Sequence, residues 1–169
     1  AHSVQLADIS LYVSRTAVGI RNDHQLDELK QEIQAIAEEF GEPALIIIDT
    51  LARNFGDGDE NIAADMSGFI AEVDGLNDEF NCASLIVHHS GHGDKDRGRG
   101  SSSLKGALDT EYKIAKSQDC IKMICTKMKD EDEPDPLLFY LIPVDMGKDE
   151  NGKSISSAVL EFRGAGVPE

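Results

Sequence analysis

The 169-residue sequence predicts a single α/β domain, a parallel sheet with antiparallel strands added at its edge. Three observations carry that reading. Two short apolar runs, Ala44-Leu45-Ile46-Ile47-Ile48 and Cys82-Ala83-Ser84-Leu85-Ile86-Val87, each end abruptly in polar residues, as strands buried on both faces do. An amphipathic stretch of helical period precedes each run. The last third then holds four strand-like segments with no long helical pattern between them. The parallel core accordingly occupies about residues 10–109, and the antiparallel edge about 110–162.

Taken in order, Leu11-Tyr12-Val13 is a short strand candidate and Val18-Gly19-Ile20 a candidate for another. Leu26, Leu29, Ile33, Ile36, Ala37 and Phe40 then recur at helical spacing, with Asp23 or Asp27 as the cap and Gly41 as the stop. Pro43 separates this helix from the first long run, and a strand-helix-strand unit implies a parallel sheet. Beyond Asp49, Leu51-Ala52-Arg53-Asn54-Phe55 leads into the turn-rich Gly56-Asp57-Gly58-Asp59-Glu60-Asn61. Ile62, Met66, Phe69, Ile70, Val73 and Leu76 mark one face of a second helix. Residues 90–103 are almost without apolar side chains and read as a long mobile loop, of a length that is usually functional or disordered. Segments 110–115, 120–126, 137–144 and 156–162 read as strands joined by turn-like stretches, and Asp130-Glu131-Asp132-Glu133 reads as a solvated loop.

Composition narrows the function classes. The net charge is −16, from 32 acidic against 16 basic residues, which works against tight nonspecific binding to nucleic acid while leaving room for a local basic loop. Without Trp, and with few other aromatics, no stacking platform for single-stranded bases is evident. No run approaches the ~20 apolar residues of a membrane span, and no signal peptide is visible. Cys82, Cys120 and Cys125 lack metal-ligand spacing and read as reduced core thiols of a cytoplasmic protein. The opening Ala1-His2-Ser3, in place of Met, fits a cleaved tag or an excised fragment.

Chemistry enters at Asp49. In open α/β sheets ligands bind beyond the carboxyl ends of the strands. A carboxylate there orients a hydrated Mg²⁺ and so positions nucleotide phosphates. From the segment alone, an ordinary strand capped by Asp fits equally well.

Four passages in order sharpen this: Leu45-Ile46-Ile47-Ile48-Asp49-Thr50-Leu51-Ala52-Arg53; Gly58-Asp59-Glu60-Asn61; Val87-His88-His89-Ser90-Gly91 leading to Arg99-Gly100-Ser101-Ser102-Ser103-Leu104; and Thr126-Lys127-Met128-Lys129-Asp130. Together they resemble the RecA-like ATPase domain of plasmid- and phage-encoded replicative helicases, namely the RepA-type hexameric helicase and the phage helicase-primase ATPases. The likeness runs from about Tyr12 to Glu161. It implies a three-layer P-loop NTPase core, ATP and Mg²⁺ as cofactors of the full-length protein, single-stranded DNA as partner, and a homo-oligomeric ring. The family's phosphate-binding loop, G-x-x-x-x-G-K-[ST], does not occur before Asp49, and the family's catalytic glutamate would lie with it. The expectation is the C-terminal portion of an ATPase domain, without ATPase activity by itself.

The resemblance also implies roles residue by residue. Asp49 matches the Walker B aspartate and metal ligand, and Thr50 is its hydrogen-bonding support or a plain strand-end residue. His88 and His89 stand where the family carries a polar sensor of the γ-phosphate, with His89 favoured because His88 can point into the sheet; structural histidines are the alternative. His88, His89, His92 and Asp94 also read as a metal cluster, against which adjacent histidines on extended chain point to opposite sides. Lys95, Arg97, Arg99 and Lys105 form the densest basic cluster, where relatives touch DNA phosphates; a solvated loop fits them too. Ser101 and Ser102 either bond phosphate or cap a short helix near Leu104. Lys127 and Lys129 resemble the paired cations that ring helicases insert into a neighbouring subunit's nucleotide site, or are an ordinary exposed pair. Some plasmid members carry Arg where this sequence has Asp109, which leaves the source of the trans-acting cation open.

Two functions follow. One is the Walker B, sensor and finger portion of a helicase-type ATPase, favoured by the ordered motifs. The other is a RecA-like binding or assembly module without catalysis, which the acidic charge favours slightly.

Overall fold

The computed structural model of the protein describes residues 10–89, 102–117 and 120–166. The chain divides into two compact units, Ala1–Ala107 and Leu108–Glu169, at the point where the helical pattern of the sequence gives out.

The first unit begins with α1, Asp23–Phe40. Its cap is Asn22, not Asp23 or Asp27: the Asn22 side chain accepts from the Gln25 N–H at 3.1 Å. Asp23 and Asp27 lie inside the helix, and Asp23 adds favourable charge to its first turn. Gly41, at φ 91°, ends the helix as expected. After it come β1 (Leu45–Asp49), α2 (Leu51–Asn54), α3 (Ala63–Phe80), β2 (Ala83–Val87) and α4 (Ser102–Ala107). β1 and β2 pair in parallel, from Leu45 opposite Ala83 to Asp49 opposite Val87. α3 supplies the crossover that a parallel pair requires.

The core of this unit is built by α3 and the turn before it. Met66, Phe69 and Leu76 on α3 and Leu51 on α2 are fully buried, each burial contributing about 1.5–3 kcal/mol. Phe55 stacks on Phe69 with centroids 5.3 Å apart. Asn77 accepts from the Ser84 hydroxyl at 2.6 Å and so pins the end of α3 to β2. Lys30 on α1 meets Glu79 on α3 at 2.9 Å.

Three expectations are corrected here. Leu11-Tyr12-Val13 is not a strand; Tyr12 packs its ring against Phe40 at 5.2 Å instead. Val18-Gly19-Ile20 is also irregular, and its N–H groups bond to side chains and the α2 turn instead of a sheet. Nor is β1 buried on both faces. Ile48 is covered, while Leu45, Ile47 and Leu85, which share the opposite face, are 47%, 52% and 50% exposed.

The second unit is an antiparallel meander of β3 (Thr110–Ser117), β4 (Cys120–Met128), β5 (Leu137–Lys148) and β6 (Ser154–Ala165), in that order across the sheet. The sequence expectation makes these strands additions to the parallel edge; they form a four-stranded sheet of their own, separate from the two-stranded parallel sheet of the first unit. β5 and β6 extend beyond the expected segments because each continues to pair with the other until a tight turn. There Asp149 Oδ1 accepts from the N–H groups of Asn151 and Lys153 at 2.9 and 2.8 Å. All three cysteines are free thiols, Cys120 and Cys125 buried; burial pushes the Cys82 thiol up from its ordinary pKa.

Candidate functional site

The carboxyl end of the parallel pair gathers the first group of expected residues. Asp49 is the last residue of β1 and is exposed. Its register partner is Val87, and His88 and His89 follow directly. Cross-strand partners share a face, so Asp49 projects on the side of Ile47, Leu85 and Val87. His88 is half-buried and His89 exposed. Among the described residues nothing bonds to the Asp49 carboxylate. An exposed, unengaged carboxylate at the end of a strand fits one ligand position of a hydrated Mg²⁺, a cation that keeps several waters.

The backbone just after Asp49 is held from two sides. The Asp49–Thr50 peptide is cis. The Thr50 carbonyl accepts from the N–H groups of Arg53 and Asn54, both at 3.1 Å, and from the Asn54 side chain at 2.9 Å. The same Asn54 side chain accepts from Val18 N–H at 3.0 Å. Ile20 and Arg21 then donate to the carbonyls of Asn54 and Phe55. Segment 18–21 is thus strapped over the turn that carries Asp49, and Thr50 supports that turn through its backbone.

Sequence reasoning missed the residue that orders the next loop. Arg21 donates to the Asp57 carbonyl, meets Asp65 at 3.1 Å and lies over the Phe55 ring. Asp65 also accepts from Asp59 N–H at 2.9 Å, so one ion pair fastens the start of α3 to residues 57–59. Asn61 donates twice to Asp59, from its backbone and then its side chain, which holds the Asp59 carboxyl below its ordinary pKa. Gly58 and Gly68 flank the guanidinium, and a Cβ on Gly58 would overlap it. The paired glycines were the visible trace of this cluster, but nothing in the sequence links them to Arg21.

The remaining candidates divide. Lys95, Arg97 and Arg99, with His92, Asp94 and Ser101, lie outside the described residues. Lys105 is exposed on α4, the short helix expected near Leu104; Leu104 itself is buried. No group of three or more metal-ligating side chains occurs among the described residues. Lys127 and Lys129 belong to the second unit. Lys127 is half-buried on β4 opposite Glu111. Lys129, just past the end of β4, meets Asp109 at 2.9 Å.

A family model described as an AAA domain matches residues 4–95, more than half of the chain. The chain belongs to that AAA domain family. The match takes in Asp49, Thr50, the Arg21 cluster and both histidines, and it stops short of Lys105, Lys127 and Lys129. The AAA domain is of the ATPase type, a class that works with nucleotide and Mg²⁺. No curated protein matches the chain. No described helix is long and apolar enough to cross a membrane.

Proposed function

We propose that this AAA domain is the part of an ATP-driven DNA helicase-type motor, from a phage or plasmid replication system, that carries the metal-binding strand, the sensor, the DNA loop and the trans-acting cations. One observation carries the reading: the register that sets Asp49 against Val87 puts a free carboxylate beside two consecutive histidines at the carboxyl end of a parallel sheet. Asp49 orients the waters of the Mg²⁺ that comes with ATP. His89, continuing the alternation of β2 onto the side of Asp49, donates to the γ-phosphate; His88 links that contact back to the sheet. Lys95, Arg97, Arg99 and Lys105 hold the backbone of single-stranded DNA. Lys127 and Lys129 reach the nucleotide of the next copy in a ring.

The half-exposed apolar face of Leu45, Ile47 and Leu85 favours a second reading, an assembly module that docks on a partner without hydrolysis. ATP hydrolysis by the protein of the complete reading frame, with and without single-stranded DNA, separates the two. The motor reading expects several-fold stimulation by DNA and nucleotide-dependent assembly in sedimentation. A protein that assembles equally without nucleotide and hydrolyses none supports the module instead.

A further inference from the structure

We propose that Asp109 is a positioning residue for Lys129, holding its ammonium where it can serve as the cation presented to a phosphoryl group. This rests on the reading of Lys129 given above.

The two residues close the open end of the β3–β4 hairpin. The last ladder pair is Thr110 with Met128, and Asp109 and Lys129 are the next residues outward. They are joined twice, the Lys129 N–H donating to the Asp109 carbonyl at 3.0 Å and its Nζ to the carboxylate at 2.9 Å. The backbone bond sets the main chain from which Lys129 springs, and the carboxylate biases where its tip lies. An unrestrained lysine tip on a four-carbon stem samples a wide volume, and ordering it costs entropy at the moment it is used. A lysine whose tip is biased toward one carboxylate has met part of that cost beforehand.

The geometry suits positioning rather than masking. An ammonium has three donors, and Asp109 occupies one, leaving two for phosphate oxygens. The side chains of Lys129 and Asp109 are 62% and 75% exposed, so the pair is held loosely enough to yield to a more highly charged anion. The hydrogen bond and charge of Asp109, and after them the charge of Asp130, raise the Lys129 pKa above its ordinary value. Lys127 stands in register with Glu111 and is half-buried, whereas Lys129 is exposed.

The test uses the protein of the complete reading frame and compares kcat and KM for ATP in K129A, D109N and D109E, with the thermal midpoint of each. K129A should lower kcat at least about a hundredfold, as loss of a trans-acting cation does. D109N should lower kcat about two- to fivefold, the range open to an exposed ion pair, with KM and thermal midpoint unchanged. D109E should recover most of the loss. If K129A is impaired and D109N matches the parent, Asp109 does not position Lys129, and the reading of Lys129 stands. A D109N protein faster than the parent overturns positioning in favour of masking. If K129A is as active as the parent, the reading of Lys129 fails and takes the role of Asp109 with it.

Discussion

Arg21 and Asp65 are joined at 3.1 Å with both side chains about three-quarters shielded from solvent, and Phe55 lies beneath the guanidinium with its ring centroid 5.7 Å away. The pair connects the strap before α1 to the start of α3, across the turn that leaves Asp49. Removing either partner strands the other in a poorly solvated place. R21A is therefore expected to destabilise the first unit by about 2 kcal/mol, from the ion pair and the ring contact together. In urea unfolding, R21A and D65N combined should fall short of additivity by at least about 0.5 kcal/mol. Additive losses would mean the two residues act separately.

Two glycines with similar backbones predict different costs. Gly41 has φ 91° and open space where a Cβ would go; Gly56 has φ 87°, and its Cβ would sit 2.9 Å from Arg21 N and 3.0 Å from the Gly19 carbonyl carbon. G41A meets only backbone strain, about 1–3 kcal/mol. G56A meets that strain and a clash with backbone that cannot swing aside, so its unfolding midpoint should lie clearly below that of G41A. Equal midpoints would show that the strap at Gly19 gives way freely.

These pairings also explain what the sequence could and could not tell. The apolar run ending at Asp49 and the stop at Gly41 were legible because local pattern and backbone chemistry set them. The burial of β1 was not: an all-apolar run looks the same whether one face or two are covered, and Ile47 stays half-exposed while Ile48 does not. Leu11-Tyr12-Val13 has strand-like composition but no ladder partner among the described residues, and three residues do not specify a strand without one. The cap was misjudged by one or more positions because Asn22, Asp23 and Asp27 are all capping residue types; geometry chose Asn22. Arg21 with Asp65 and Asp109 with Lys129 are contacts between distant positions, which no local pattern encodes.

Asn22 does two jobs at once: it caps α1, and its amide donates to the Asp57 carboxylate at 3.1 Å. N22A should cost about 1 kcal/mol through the cap. N22D keeps the cap acceptor but sets a second carboxylate against Asp57, so it should unfold below N22S at low ionic strength and approach it as salt screens the repulsion. Salt-independent melting of N22D would rule that contact out.

Asp59 gives the loop a pH dependence of known sign. Its folded-state pKa lies below the usual value, chiefly through the Asn61 backbone N–H and then the Asn61 side chain. The contribution is present at neutral pH and is lost as pH falls through that lowered pKa. A carboxyl-carbon NMR titration should find the Asp59 midpoint below the ordinary Asp range, and N61A should raise it part of the way back while the backbone bond remains. A midpoint unmoved by N61A would mean that the side-chain bond is not formed in solution.

Asp49 is the residue proposed to orient Mg²⁺ beside the nucleotide. The most direct measurement is ATP hydrolysis across a Mg²⁺ titration by the protein of the complete reading frame, parent against D49N. The amide keeps the shape and removes the charge, so D49N should lose at least about a hundredfold in kcat, with the Mg²⁺ dependence moved to higher concentration and the thermal midpoint unchanged. A D49N protein that hydrolyses ATP within about twofold of the parent at every Mg²⁺ concentration would contradict that role.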